Sequence, residues 1–206
     1  MKYEKKSLVE EYMIKKYDEE YKSGSDKNYP SLELVRLEQW FFNSDPGKVI
    51  EYGFGSGVNT KFLLGKNYDV YGIDASKEAK KAAMRKLQEF NRSKYELITL
   101  DTKATSLPYE TEKFDYAIVM SVISLLGSID RIKVLLSEIK RVLKEDGKLI
   151  IDVNTSRSLF TNEAQKVSNH IFTKKYRDND LRFYCPEHVD HFKKLINNFF
   201  LVKDIG

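Results

Sequence analysis

A single cysteine, Cys185, stands in 206 residues. An internal disulfide framework is thereby excluded, and a reducing compartment suits the chain. Four prolines and ten glycines leave no collagen-like or low-complexity tract. Long apolar runs are missing as well. The longest nearly apolar stretch, Tyr116 to Gly127, covers twelve residues and includes two serines. A membrane-spanning helix needs about 20. The opening Met1-Lys2-Tyr3-Glu4-Lys5-Lys6 has no apolar core of the kind a signal peptide carries. These absences predict a cytoplasmic chain with no membrane partner. Charge of one sign is also lacking: 35 Lys and Arg face 31 Asp and Glu, and residues 1–22 hold six Lys and six acids. Proteins that grip nucleic acid concentrate positive charge on one face. Alternating signs read instead as a solvated surface and argue against a nucleic-acid partner.

What is present is the balance of an ordinary globular domain, and the length fits one domain that needs no staple. Residues 3–22 read as a helix, because Val9, Met13, Tyr17 and Tyr21 recur every four positions among charges. A second helix should begin at Ser31 and reach Phe42. After the turn signal Asn43-Ser44-Asp45-Pro46-Gly47, strands and helices alternate. The strands are Lys48–Tyr52, Tyr68–Ile73, Tyr95–Leu100, Phe114–Met120, Lys148–Val153 and Phe200–Lys203. The helices between them are Val58–Gly65, Lys77–Phe90, and one carrying Ile132, Leu135, Leu136, Ile139 and Val142 that stops at Gly147. An irregular stretch then leads to a helix from Pro186 to about Asn198. This alternation predicts an α/β fold, a doubly wound and mostly parallel Rossmann-like sheet with helices on both faces. Residues 1–42 form N-terminal helices, a lid or cap on the domain of residues 43–206.

Three of the ten glycines, Gly53, Gly55 and Gly57, fall within five residues at the carboxyl end of the first strand. Ligands of doubly wound sheets bind there. Glycines permit positive φ and close approach to the backbone. Alone, they fit a tight turn equally well. Asp74, 21 residues after Gly53, ends the second strand. An acid there can accept from both ribose hydroxyls of a nucleoside, or cap the following helix with Ser76. Asp101 and Thr102 end the third strand beside the same crevice. The spacing is G-x-G-x-G, with Val58 where a dinucleotide fingerprint has its third glycine. Glu51 precedes the loop and suits a cationic ligand better than a pyrophosphate, since like charges repel at short range.

These residues also match a family. Glu51-Tyr52-Gly53-Phe54-Gly55-Ser56-Gly57 resembles motif I of the class I S-adenosylmethionine-dependent methyltransferases. Tyr71-Gly72-Ile73-Asp74-Ala75-Ser76 resembles their second motif. Leu107-Pro108-Tyr109 with Lys113-Phe114-Asp115-Tyr116 resembles the approach to strand four, and Leu143 to Leu149 the turn into strand five. Phe183-Tyr184-Cys185-Pro186-Glu187 is similar to the start of the last helix in small-molecule members.

The resemblance implies S-adenosyl-L-methionine as cofactor, held by Gly53, Phe54, Gly55 and Gly57. It implies that Glu51 orients the loop or the cofactor ammonium and that Asp74 takes the ribose. Ala75 would lie against the adenine, with Asp101 and Thr102 at its amino edge. Met120 and Ser121 would flank the methionyl part and face the acceptor. Tyr29, Pro30, Ser31 and Arg36 resemble a lid, Arg36 being a candidate partner for the cofactor carboxylate. Tyr17, Tyr21, Tyr29, Arg36, His170 and Tyr176 are the candidate substrate-binding residues.

Methyl transfer from a sulfonium needs alignment more than a catalytic group, so no catalytic residue is assigned. His170, His188 and His191 are candidate bases, but an ordinary surface position is the better reading of each. Cys185, His188 and His191 lack a fourth ligand, and no metal is assigned. Neither the Asn/Asp-Pro-Pro-Tyr motif of nucleic-acid aminomethylating members nor the nucleophilic Cys of cytosine-C5 members follows strand four. The expected activity is methylation of an O or N atom of a small molecule. The alternatives are a cofactor-binding but inactive subunit or regulator, and an RNA or protein methyltransferase. A nucleotide-cofactor oxidoreductase fits the glycine spacing less well. The family's sheet has a seventh strand, whereas this chain reaches Gly206 just after strand six. The expectation is therefore about six strands with strand seven missing, in a monomer or a homodimer formed through the open edge. Either the chain stops short of that strand, naturally or by truncation, or strand six pairs directly with strand five, or another segment fills the gap.

Overall fold

The computed structural model describes residues 4–24, 27–42, 45–176 and 179–202, with backbone alone for 4–13, 160, 176, 179 and 180. Five strands form a parallel sheet: β1 (Lys48–Tyr52), β2 (Asp69–Asp74), β3 (Tyr95–Thr99), β4 (Phe114–Val119) and β5 (Leu143–Ile151). Their order is β3-β2-β1-β4-β5. The chain winds outward from β1 to β3, then returns to place β4 on the other side of β1. That reversal opens a crevice at the carboxyl ends of β1 and β4.

Strand β4 is a continuous apolar run because both of its faces are covered, and only Asp115 and its partners break the pattern. The Asp115 carboxylate accepts from the Lys48 N–H at 2.8 Å and from the Lys144 ammonium at 2.6 Å, which ties β4 to the flanking strands at their amino ends. Around the sheet lie α1 (Glu4–Ser23), α2 (Leu32–Phe41), α3 (Val58–Gly65), α4 (Lys77–Lys86), α5 (Ile129–Val142) and α6 (Val189–Ile196). Ile132, Leu136, Ile139 and Val142 of α5 are wholly buried against one sheet face with Phe114, and α6 adds Phe192 and Ile196. Each such side chain contributes about 1.5–3 kcal/mol by leaving water. The opposite face buries Leu34 of α2, Leu63 of α3 and Ala79 and Ala83 of α4. Among the described residues no helix is long and apolar enough to cross a membrane.

The α/β, doubly wound class expected from the alternation is the one observed. Four details differ besides α4, which ends at Lys86 rather than Phe90. First, the sheet has five strands among the described residues, not six. Phe200 to Val202 is not extended into a strand, and Lys203 lies outside the described residues. A groove of about 1420 Å³ runs along the free edge of β5, bordered by Trp40, Phe192 and Phe199. Second, α5 ends at Val142 rather than at Gly147. Leu143 turns extended and pairs with Phe114, because an apolar side chain there gains more by joining the sheet than by prolonging an exposed turn. Gly147 sits in the resulting irregularity, where a Cβ would meet the Lys144 carbonyl at 2.9 Å.

Third, the stretch expected to be irregular holds an antiparallel sheet, β6 (Gln165–Ser168), β7 (Ile171–Tyr176) and β8 (Asn179–Tyr184). Phe172, Leu181 and Phe183 pack there with Tyr17 and Leu125. Fourth, α6 begins at Val189 rather than Pro186. The Pro186 carbonyl accepts from Ser156 N–H at 2.9 Å and Cys185 N–H donates to the His170 carbonyl at 2.8 Å, so loop contacts hold both residues outside the helix.

Candidate functional site

The glycine loop leaves β1 and folds back on β2. Gly53 N–H donates to the Ile73 carbonyl at 2.7 Å, and Gly55 N–H to Asp74 Oδ2 at 2.9 Å. Gly53, Gly55 and Gly57 all have positive φ, at 87°, 53° and 80°. At Gly57 the need is double: it caps α3 in the left-handed region, and a Cβ would lie 2.8 Å from Ala83 Cβ of α4. Glycine thus lets α3 and α4 approach behind the loop.

Glu51 is 1% exposed. Its Oε2 accepts from the Thr60 hydroxyl at 2.5 Å, while Oε1 is buried without a hydrogen-bond partner among the described residues. Burial pushes its carboxyl up to about 7, against the pull of Thr60 and Asn59 toward the charged form and with the Asp74 charge adding to the rise. A buried carboxylate oxygen with no donor invites a cation. Asp74 has the local, turn-shaping role that the sequence left open beside ribose binding. Oδ1 accepts from Ser76 N–H at 2.8 Å and Oδ2 from Gly55, so it shapes the turn. Each oxygen retains a second lone pair for a ribose hydroxyl. Its carboxyl is raised mainly by burial, with Asp18 adding to the rise.

The β3 end lies beside the β2 end, since Leu100 N–H donates to the Asp74 carbonyl at 2.9 Å. Asp101 accepts from Lys103 N–H at 2.7 Å and is exposed. The Thr102 carbonyl accepts from Arg131. Met120 is buried at the end of β4. Ser121 follows with φ 61°, a rare region for a residue with a Cβ, and its N–H donates to Asp152 Oδ1 at 2.7 Å. Asp152, at the end of β5, was not expected from the sequence. Burial raises its carboxyl, and the Glu33 charge adds to that. The signal that would find it is an acid just past a buried strand end next to the switch point.

The candidate substrate residues scatter. Tyr17 and Tyr21 stack at 6.3 Å and lie at the cofactor side, the Tyr21 hydroxyl 2.9 Å from where a Gly55 Cβ would be. Arg36 lies over the Trp40 ring at 4.9 Å, and both border the groove that reaches Met120 and Asp152. None of the glycine-loop residues lines that groove. Tyr29 is 82% exposed. His170 packs with His191, ring centroids 4.6 Å apart, and with Tyr184, not with crevice residues. The Tyr176 side chain lies outside the described residues. Cys185 is wholly buried, and burial raises its thiol. Among the described residues no three His, Cys, Asp or Glu side chains are grouped to hold a metal ion.

A doubly wound sheet with a glycine loop, an acid at the β2 end and a donorless buried carboxylate defines a nucleoside-cofactor domain that favours a cationic ligand. The comparisons with known proteins agree. A methyltransferase domain family matches residues 50–151. A ubiquinone biosynthesis O-methyltransferase of Glaesserella parasuis is 31% identical over 180 residues, covering 77% of this chain and 75% of that one. An uncharacterized protein of Methanocaldococcus jannaschii is 32% identical over 141 residues, 67% of this chain; the match spans 59% of that protein's length. A Burkholderia thailandensis 1,6-didemethyltoxoflavin-N1-methyltransferase, solved with S-adenosylhomocysteine, shares the fold with TM-score 0.65 at 15% identity, over 93% of this chain and 76% of that one. The chain belongs to the class I S-adenosylmethionine-dependent methyltransferases, and S-adenosyl-L-methionine is its cofactor. The residues present fit that cofactor: Oε1 of Glu51 is buried with no donor among the described residues, and three glycines with positive φ line the loop beside it.

Proposed function

We propose that this chain transfers a methyl group to an O or N atom of a small-molecule acceptor. When bound, the cofactor supplies an electrophilic methyl on a sulfonium. Glu51 then pairs with the amino acid ammonium, and the loop backbone around Gly53, Phe54, Gly55 and Gly57 follows the amino acid part. Asp74 accepts from the ribose, with Ala75, Asp101 and Thr102 around the base. Met120 and Ser121 border the space where an acceptor meets the methyl. Residues 1–42 cap the crevice.

The observation that carries this reading is the donorless Glu51 oxygen beside the glycine loop, because it selects a cation over a pyrophosphate. The small-molecule acceptor draws support from the O- and N-methyltransferases among the similar proteins. Calorimetry with S-adenosylmethionine and with NAD tests the cofactor preference, and binding of NAD alone refutes it. Release of S-adenosylhomocysteine over a panel of amines, phenols and carboxylates tests the acceptor class. Cofactor binding without release over that panel, or release only with RNA or protein, would count against a small-molecule acceptor.

A further inference from the structure

Helix α1 crosses the cofactor crevice. Asp18 accepts from the Ser76 hydroxyl. Ser76 is at the same time the N-cap of α4, its Oγ accepting from Ala79 N–H at 2.8 Å, and it stands two residues after Asp74. Tyr17 and Tyr21, one helical turn apart, flank Asp18. The Tyr21 hydroxyl hangs over Gly55, and the Asp74 charge helps raise the Tyr17 hydroxyl, after burial and Glu20. Tyr17 packs on the β6–β8 sheet, while Tyr21 packs against the core on the α4 side. One face of α1 therefore meets the glycine loop, the end of β2 and the start of α4 together. Any S-adenosyl compound touching both Gly55 and Asp74 lies beneath Tyr17 and Tyr21.

We propose that Asp18 is a positioning residue of the cofactor site: its bond to Ser76 latches α1 across the crevice, and the latch opens for S-adenosyl compounds to enter or leave. The proposal rests on the cofactor assignment above. Asp18 and Asp74 are like charges close enough to feel each other. Closing α1 over an empty crevice thus costs repulsion, which the ammonium common to S-adenosyl compounds offsets beneath it. Cofactor binding and closure favour each other.

Association and dissociation of S-adenosylhomocysteine, measured by rapid mixing on the whole chain, test this. Asp18→Ala should raise the dissociation rate about tenfold, the loss expected for one bond to a charged partner. Asp18→Asn keeps an acceptor for the Ser76 hydroxyl and should stay nearer the wild type. Ser76→Gly removes the hydroxyl and retains an acceptable N-cap, so it should match Asp18→Ala without depending on that variant's folding. Exchange at the wild-type rate in Asp18→Ala or Ser76→Gly overturns the latch, even if the melting temperature falls. Equal rates in Asp18→Asn and Asp18→Ala overturn it as well. A wild-type chain that binds no S-adenosylhomocysteine would refute the cofactor assignment instead, a different result.

Discussion

Replacing Glu51 by Gln separates the stability of the empty protein from its affinity for cofactor. The folded-state carboxyl stands at about 7 against an ordinary 4.5. Below pH 4.5 both folded and unfolded chains hold the proton. Between 4.5 and about 7 only the folded chain holds it, so stability falls as pH rises through this window and is level above it. The displacement corresponds to about 3 kcal/mol at about 1.4 kcal/mol per pH unit. Urea unfolding of wild type and Glu51→Gln at intervals from pH 4.5 to 8 gives the difference, in which Asp152 cancels and the Asp74 charge that adds to the Glu51 rise is included. The wild type should lose about 3 kcal/mol relative to the variant across that range. On the proposed pairing of Glu51 with the cofactor ammonium, the same substitution should make S-adenosylmethionine bind about tenfold or more weakly. Binding at pH 6 to the wild type should also release protons, read from the dependence of the calorimetric enthalpy on buffer. The cause is that an ammonium beside Oε1 returns the carboxyl toward its charged form. Parallel pH profiles for the two proteins, or binding without proton release, would refute the reasoning.

Three further perturbations follow from named contacts. Asp74→Ala removes the Gly55 and Ser76 bonds and the proposed ribose acceptors, so calorimetry should show affinity for S-adenosylmethionine lowered about 10–100-fold; unchanged affinity removes Asp74 from the site. Gly57→Ala places a Cβ at φ 80° and 2.8 Å from Ala83, and denaturant titration should show a loss of about 1–3 kcal/mol. Leu136→Ala opens the α5 side of the core, where Leu136 is wholly buried, at about 2–5 kcal/mol in the same assay with the cofactor affinity of the folded fraction unchanged.

Much of the architecture is written locally. Lys48–Tyr52 and Val58–Gly65 begin and end where the sequence places them, because an apolar run, a glycine cluster and an amphipathic turn each signal without reference to distant residues. Asp74 was legible for a related reason: it sits at a set distance from the loop in a repeating unit. Leu143 was not. Its turn-like neighbours Glu145-Asp146-Gly147 argue for a helix stop, and only the partner strand at Phe114 recruits it into β5. The strands β7 and β8 were hidden in the same way. Thr173, Lys174 and Lys175 interrupt the apolar alternation, and the pairing of Ile171 with Tyr184 supplies the stability that local propensity does not.

The candidate site divides along the same line. Residue type and order alone determined the parallel sheet and brought Glu51, the glycines and Asp74 forward as candidate walls of the site, because these lie within one strand-turn-helix-strand unit. Only the tertiary structure decided that Glu51 Oε1 lacks a donor, that Asp152 reaches Ser121, and that α1 brings Asp18, Tyr17 and Tyr21 onto the crevice. Asp18 and Ser76 are 58 residues apart, and no periodicity spans such a gap. Their meeting is set by how one helix packs across the open end of a sheet that other residues built.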